Sequence, residues 1–325
     1  MKKIMAIILV AVLVVMAVSA CGNSGGGSSD GPLRVMLSNA YYTAPYCGAY
    51  NRAAREKAEE LGIELTILDG EGNQMKQLEH ANTAIDDGYD GFLYFPADVD
   101  GAAPIIEAMN DSGMVWMGVN AFPGDDAAAA GMEYYFGPDS SSHGVVMAQA
   151  IIDEFPEGAN IVAIEGTAGH MQTIMFNRAF DDMFDYSKYI FLDKQDADFQ
   201  SEIAMTKMAD MITTYGLSSS GGQIDAIISH DGGILVGIVS ALEAAGYQPG
   251  DVFIVVCGSN KIIEDSLRSG WLSVTSTQDP EAEGAMAVEL IHGLLTGTGN
   301  VQPGWTKLPT PPATLATIDE FNWFS

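Results

Sequence analysis

The chain has 325 residues, enough for two medium domains with cores of their own. Its formal net charge of −29 repels phosphate backbones and argues against nucleic-acid binding. The cysteines are Cys21, Cys47 and Cys257, and no CxxC or HExxH pattern is present, so neither a zinc site nor another metal or cofactor site is expected.

The chain opens with Lys2 and Lys3, followed by an unbroken apolar run from Ile4 to Val18 and then Val18-Ser19-Ala20-Cys21. A basic start, a short apolar core and small residues before a cut site predict a secretory signal peptide over residues 1–20. The run is too short for a comfortable membrane span. The segment resembles a bacterial lipobox, which implies a lipid on Cys21 as the first mature residue. Residues 21–32 then form a flexible tether rich in glycine and serine. The expected location is outside the cytoplasmic membrane, held by the lipid anchor.

Beyond the tether, short apolar runs predict strands at Leu33–Ser38, Ile63–Asp69, Gly91–Phe95, Met114–Val119 and Met132–Phe136. A second group follows at Asn160–Glu165, Tyr189–Leu192, Ile224–Ser229, Val252–Cys257 and Leu272–Ser276. Helical spacing fills most of the intervals. In Cys47–Leu61 the apolar positions Tyr50, Ala53, Ala54, Ala58 and Leu61 share one face, and Gly62 ends the helix. Gln74–Asp87, Gly101–Asn110, Ser142–Phe155, Met171–Phe184, Gln200–Tyr215, Ile234–Ala245 and Glu281–Leu295 read similarly. Alternation of helices with nearly continuous apolar strands predicts an α/β fold of two doubly wound parallel-sheet lobes. Ligands in such folds sit beyond the carboxyl ends of the strands. Two lobes facing each other therefore make a cleft that a hinge can close. Cys47 and Cys257 read as free buried thiols, although a disulfide is open on sequence grounds.

The strand ends carry a series of short pieces in a fixed order. In the first group they are Ala44-Pro45-Tyr46, Leu68-Asp69-Gly70, Tyr94-Phe95-Pro96-Ala97-Asp98 and Val119-Asn120. In the second they are Glu165-Gly166-Thr167-Ala168-Gly169-His170, Asp196-Ala197-Asp198-Phe199, His230-Asp231, Gly258-Ser259-Asn260 and Thr277-Gln278-Asp279-Pro280. In order and spacing the chain resembles the type I periplasmic solute-binding proteins of the ribose/galactose group, over about residues 33–310. The resemblance implies capture of a small polar solute, a sugar or related polyol, for delivery to an ABC importer permease. It also implies a three-strand hinge, with one lobe of residues 33–137 plus 280–308 and the other of residues 139–278 plus 309–325. No enzymatic activity, no cofactor and a monomer are expected.

By the same resemblance, Tyr46, with Tyr42 just before it, stacks on the solute from the first lobe and Phe199 from the second. Asn120, His170, His230, Asn260 and Gln278 fall at polar cleft positions. Ordinary alternatives stand beside these roles: loop packing for the tyrosines, core packing for Phe199, a plain loop position for His170. Asp231 reads as a helix cap. The chain departs from the sugar binders where Asn120-Ala121 replaces an Asp-Arg pair. It lacks an arginine after the glycine-rich loop, where Ile174 and Phe176 stand and only Arg178 is near. A sensory protein that presents its ligand to a membrane receptor shares all these features. A ligand-responsive repressor would need a basic DNA-binding helix pair where the leader stands, and no G-x-S-x-G or P-loop pattern supports an enzyme.

Overall fold

The computed structural model describes residues 31–97, 101–120 and 124–324. The leader, Cys21 and its lipidation, most of the tether, Asp98 and Ala121 lie outside the described residues. In chain order the first elements are β1 (Arg34–Asn39), α1 (Pro45–Leu61), β2 (Glu64–Asp69), α2 (Gln74–Asp86), β3 (Gly91–Phe95) and α3 (Ala103–Ser112). Then come β4 (Val115–Val119), α4 (Gly124–Ala129), β5 (Tyr134–Pro138), α5 (Ser140–Glu154), β6 (Ala159–Glu165) and α6 (Met171–Met183). The chain continues through β7 (Tyr189–Asp196), α7 (Ser201–Tyr215), β8 (Ala226–Ser229), α8 (Gly232–Ala244), β9 (Phe253–Cys257) and α9 (Lys261–Ser269). It closes with β10 (Val274–Ser276), α10 (Pro280–Thr296), β11 (Gly304–Leu308) and β12 (Pro312–Ala313).

These strands make two six-stranded sheets, ordered β11-β5-β4-β3-β1-β2 and β12-β10-β9-β8-β6-β7. The first is parallel throughout; the second is parallel except where β12 joins β10. The strand residues are apolar on both faces because helices cover both. On the first sheet, Val35, Leu37 and Leu93 pack with α1 and α10, while Met36, Phe92 and Tyr94 pack with α2 and α3. On the second, Ile164, Ile227 and Ile254 meet α7, α8 and α9, and Ile161, Ile228 and Val255 meet α5 and α6. In each sheet the first strand lies between the second and the third, so the order reverses there and opens a crevice at the carboxyl ends.

The chain passes from one sheet to the other between β5 and α5, between β10 and α10, and between β11 and β12. Asp139 starts α5 by accepting from the Ser141 amide, and Asp279 starts α10 by accepting from the Glu281 and Ala282 amides. Pro280 suits the first turn of α10, where no amide is needed. Strand β7 runs past its apolar start into Asp193-Lys194-Gln195-Asp196. It is an edge strand, so one side of it meets solvent. The short helix α9 and the strands β11 and β12 are elements that apolar periodicity did not single out.

Candidate functional site

A cavity of about 500 Å³ opens between the two sheets. Tyr41, Tyr46, Phe95 and Asn120 line it from the carboxyl-end side of the first sheet, and His170, Gln172 and Cys257 from that of the second. Ser140, His143 and Gln278 line it from the crossing segments. Among the described residues, no lysine, arginine, aspartate or glutamate belongs to this lining.

Tyr46 stands in the first turn of α1. Its hydroxyl donates to the carboxylate of Glu283 and accepts from Gln278 Nε2 at 2.6 Å. Asn120 follows β4 with φ of 69°, a left-handed conformation that asparagine tolerates. A Cβ on Gly137 would fall 2.9 Å from the Asn120 amide nitrogen, so glycine is needed there for the two backbones to approach. Tyr135 Oη donates to the Asn120 carbonyl at 2.7 Å, and Asn120 Nδ2 donates to both Glu283 oxygens at 3.0 and 3.1 Å.

Glu283 is therefore the centre around which three sequence-predicted residues gather, although it was not itself singled out. Its side chain is fully buried, one turn from Ala287 on the core face of α10. Burial pushes its carboxyl up to about 7, against the pull of hydrogen bonds from Tyr46, Asn120 and Gln278; Asp279 adds to the upward shift. The sequence signal was available: an acid in the apolar stripe of a helix is costly unless it is hydrogen-bonded. The next residue, Gly284, lets α10 meet α1. A Cβ there would sit 2.9 Å from the Tyr50 carbonyl carbon and closer still to its oxygen.

On the facing side, His170 caps α6, its Nδ1 accepting from the Gln172 amide at 3.3 Å. Its ring meets Phe199 edge-on, with centroids 5.1 Å apart. Asp198 and Phe199 both have positive φ, of 49° and 56°, and the Phe199 ring lies against Gly166, where any Cβ would collide with it. Phe199 also packs on the core of the second sheet. It braces His170 and is not part of the cavity lining.

Three other sequence-predicted residues are placed away from the cavity. Tyr42 packs on the first core, and its hydroxyl accepts from Arg55 at 3.1 Å. His230 has no exposed surface: its Nδ1 accepts from the Gly166 amide at 3.2 Å and its ring abuts Phe176. Burial lowers its imidazole to about 3, so it is a neutral core group. Asn260 caps α9 through the Ile263 amide at 3.1 Å. Asp231 caps α8 in the same way. Arg178 lines a different cavity of about 460 Å³ with Glu165, Asp181 and Asp196.

His143, Cys47 and Cys257 line the cavity although none was expected to. His143 is buried, with Nδ1 2.8 Å from Ser276 Oγ. Cys47 and Cys257 are both free and buried, and both border the cavity. Burial raises both thiols, Cys47 to about 12, so neither is a nucleophilic thiolate. The chain's tail adds a brace between the lobes. Phe324 is tied by backbone bonds to Ser259 and Lys261, and its ring meets Tyr46 edge-on at 5.7 Å. No cluster of His, Cys, Asp or Glu among the described residues could hold a metal ion.

Residues 35–299 match the family model described as a periplasmic binding protein domain. The chain is 25% identical over 254 residues to the ribose import binding protein of Bacillus subtilis, covering 78% of each. It shares its fold with the periplasmic ribose ABC transporter of Conexibacter woesei, at a TM-score of 0.79 and 20% identity over 91% of this chain and 96% of that one. It shares it also with an ABC transporter solute-binding protein of Bacillus halodurans solved with bound myo-inositol, at a TM-score of 0.76 and 21% identity over 90% of this chain and 98% of that one.

Proposed function

The chain belongs to the periplasmic binding protein family, and we propose that it captures an uncharged sugar or polyol outside the cytoplasmic membrane and delivers it to an ABC importer. The observation that carries this reading is the cavity itself: about 500 Å³, bordered by both lobes, and lined by amide, phenol, imidazole and apolar groups without a charged side chain among the described residues. Such a lining re-pairs hydroxyls while offering an anion no counter-charge. The names of the relatives, ribose import among them, support the same solute class.

In this reading Tyr46, Asn120 and Gln278 hold the solute from the first lobe and the hinge, and His170 holds it from the second, with Phe199 setting the angle of the His170 ring. A solute favours the closed arrangement only by its differential affinity, and residues split between lobes supply that difference. Tyr46 acts through its ring surface, since its hydroxyl is already engaged on both sides. The chain works as a monomer, anchored by lipid on Cys21 and docking on a permease.

The test is a thermal-shift screen of the protein with D-ribose, xylitol and myo-inositol beside sugar phosphates and amino acids. A solute at a hundredfold excess over its dissociation constant stabilises the folded state by about 2.7 kcal/mol. A shift with a neutral sugar or polyol supports the reading. Shifts confined to the charged compounds would contradict it.

A further inference from the structure

We propose that Glu283 is the positioning residue that makes the cleft floor a surface of hydrogen-bond acceptors, so that the site selects an uncharged solute rich in hydroxyl donors and rejects anions. The inference rests on the cavity being the solute site and goes further, to the polarity of that site and the residue that sets it.

A carboxylate accepts and cannot donate. Whatever faces Glu283 must therefore turn a hydrogen toward it. Asn120 Nδ2 lies 3.0 and 3.1 Å from the two oxygens, and the Tyr46 hydroxyl donates to the second of them. Because Tyr46 gives its proton to Glu283, its lone pair accepts from Gln278 Nε2 at 2.6 Å. Both amides are thus held with their nitrogens inward. Their oxygens, Asn120 Oδ1 and Gln278 Oε1, have no hydrogen-bond partner among the described residues, and both side chains line the cavity.

A third acceptor follows from the same reasoning at His143. Ser276 Oγ donates to the Thr310 carbonyl at 3.3 Å, so it accepts from His143 Nδ1 at 2.8 Å. The proton is then on Nδ1, and Nε2 carries a lone pair. That atom is buried without a partner, in a residue that borders the cavity. Burial lowers the imidazole to about 4, which keeps it neutral. Two amide oxygens and one imidazole nitrogen thus accept, and no ammonium or guanidinium lines the cavity among the described residues. Hydroxyl donors satisfy these three groups, whereas a phosphate or carboxylate meets their lone pairs; the proton on His170 Nε2, whose Nδ1 accepts from the Gln172 amide, is left for a solute oxygen.

Among the described residues, the groups facing Glu283 contain no cation. From α1 come Tyr46, Cys47 and Tyr50; Asn120 follows β4; Gln278 comes from the crossing; and Asp279 precedes Glu283 on its own helix. Proton uptake by Glu283 adds an O–H donor and leaves one carbonyl acceptor, so the group no longer fixes the Asn120 amide and the Tyr46 hydroxyl both as donors toward it. The expected result is weaker solute binding as pH falls through neutrality.

Two measurements test this. The first is neutron diffraction from crystals grown above neutral pH. The expected map places deuterium on the Asn120 and Gln278 atoms that face Glu283 and Tyr46, and on His143 Nδ1. Amide oxygens facing the carboxylate would overturn the proposal, whether or not any sugar binds. The second is calorimetry of the parent and Glu283→Gln with D-ribose, xylitol, myo-inositol and D-ribose phosphate between about pH 6 and pH 8. The expected parent binds a neutral compound and not the phosphate, loses affinity on acidification, and is weakened at least about tenfold by the substitution, which also flattens the pH profile. Equal affinity in the variant, or an unchanged pH slope, would overturn the proposal. The expected neutron map without binding of any neutral compound would support the acceptor floor and refute the sugar or polyol reading alone.

Discussion

Glu283 makes the stability of the fold depend on pH in a way that one substitution removes. Its carboxyl rises from an ordinary value of 4.5 to about 7 on folding, because burial opposes its charge more strongly than Tyr46, Asn120 and Gln278 favour it. The folded state therefore holds this proton more tightly than the unfolded chain does. The contribution is fully present below about pH 4.5 and is lost as pH rises through about 7, a total of about 3 kcal/mol. Other buried groups titrate nearby, so the decisive quantity is a difference between two proteins. His143 and His230, lowered by burial, act in the opposite sense and destabilise the fold on acidification below the ordinary imidazole value of 6.5. Urea denaturation of the parent and Glu283→Gln at intervals from about pH 5 to pH 8 separates the effects. The expected difference in unfolding free energy changes by about 2 to 3 kcal/mol across that range, moving in the variant's favour as pH rises. Two parallel curves would refute the reasoning, since Glu283 would then carry no linked proton near neutrality.

Other substitutions probe separate parts of the structure. Gly284→Ala drives a methyl into the Tyr50 carbonyl, separates α10 from α1 and costs about 1–3 kcal/mol in thermal or chemical unfolding. His230→Ala leaves a cavity beside Phe176 and lowers stability by about 2 kcal/mol, while the affinity of the folded protein stays within about twofold of the parent. Phe199→Ala frees the His170 ring and weakens solute binding by at least about tenfold in calorimetry. Cys21→Ser releases the protein from membranes or blocks its processing in cell fractionation, and unchanged retention with normal processing would contradict lipidation.

The sheets were legible because a strand covered on both faces is apolar at nearly every position, as in Phe92-Leu93-Tyr94-Phe95 or Ile161-Val162-Ala163-Ile164. The tail strands β11 and β12 were not, because they join edges of sheets already formed and need backbone bonds more than an apolar pattern. Site residues divided along a similar line. Residue type and place at a strand end are enough to bring Tyr46, Asn120, His170 and Gln278 to the cavity, since strand ends in a doubly wound fold converge there. The same two clues fail for Asn260 and His230. An asparagine at a helix start serves as well for capping as for ligand contact, and a histidine after a strand can turn inward to a backbone amide. Glu283, an acid in an apolar helix stripe, signals a buried polar contact but not its partners, because Tyr46, Asn120 and Gln278 come from segments far apart in the chain.

The central claim is that a neutral solute lies between the lobes and is held by both at once. A crystal structure of the protein with the sugar or polyol that shifts its melting most tests this directly. The expected density fills the cavity beside Tyr46, with solute hydroxyls donating to Asn120 Oδ1 and Gln278 Oε1 from one side and polar contact to His170 from the other. Solute found instead beside Arg178 in the neighbouring cavity, or touching residues of one lobe only, would contradict it.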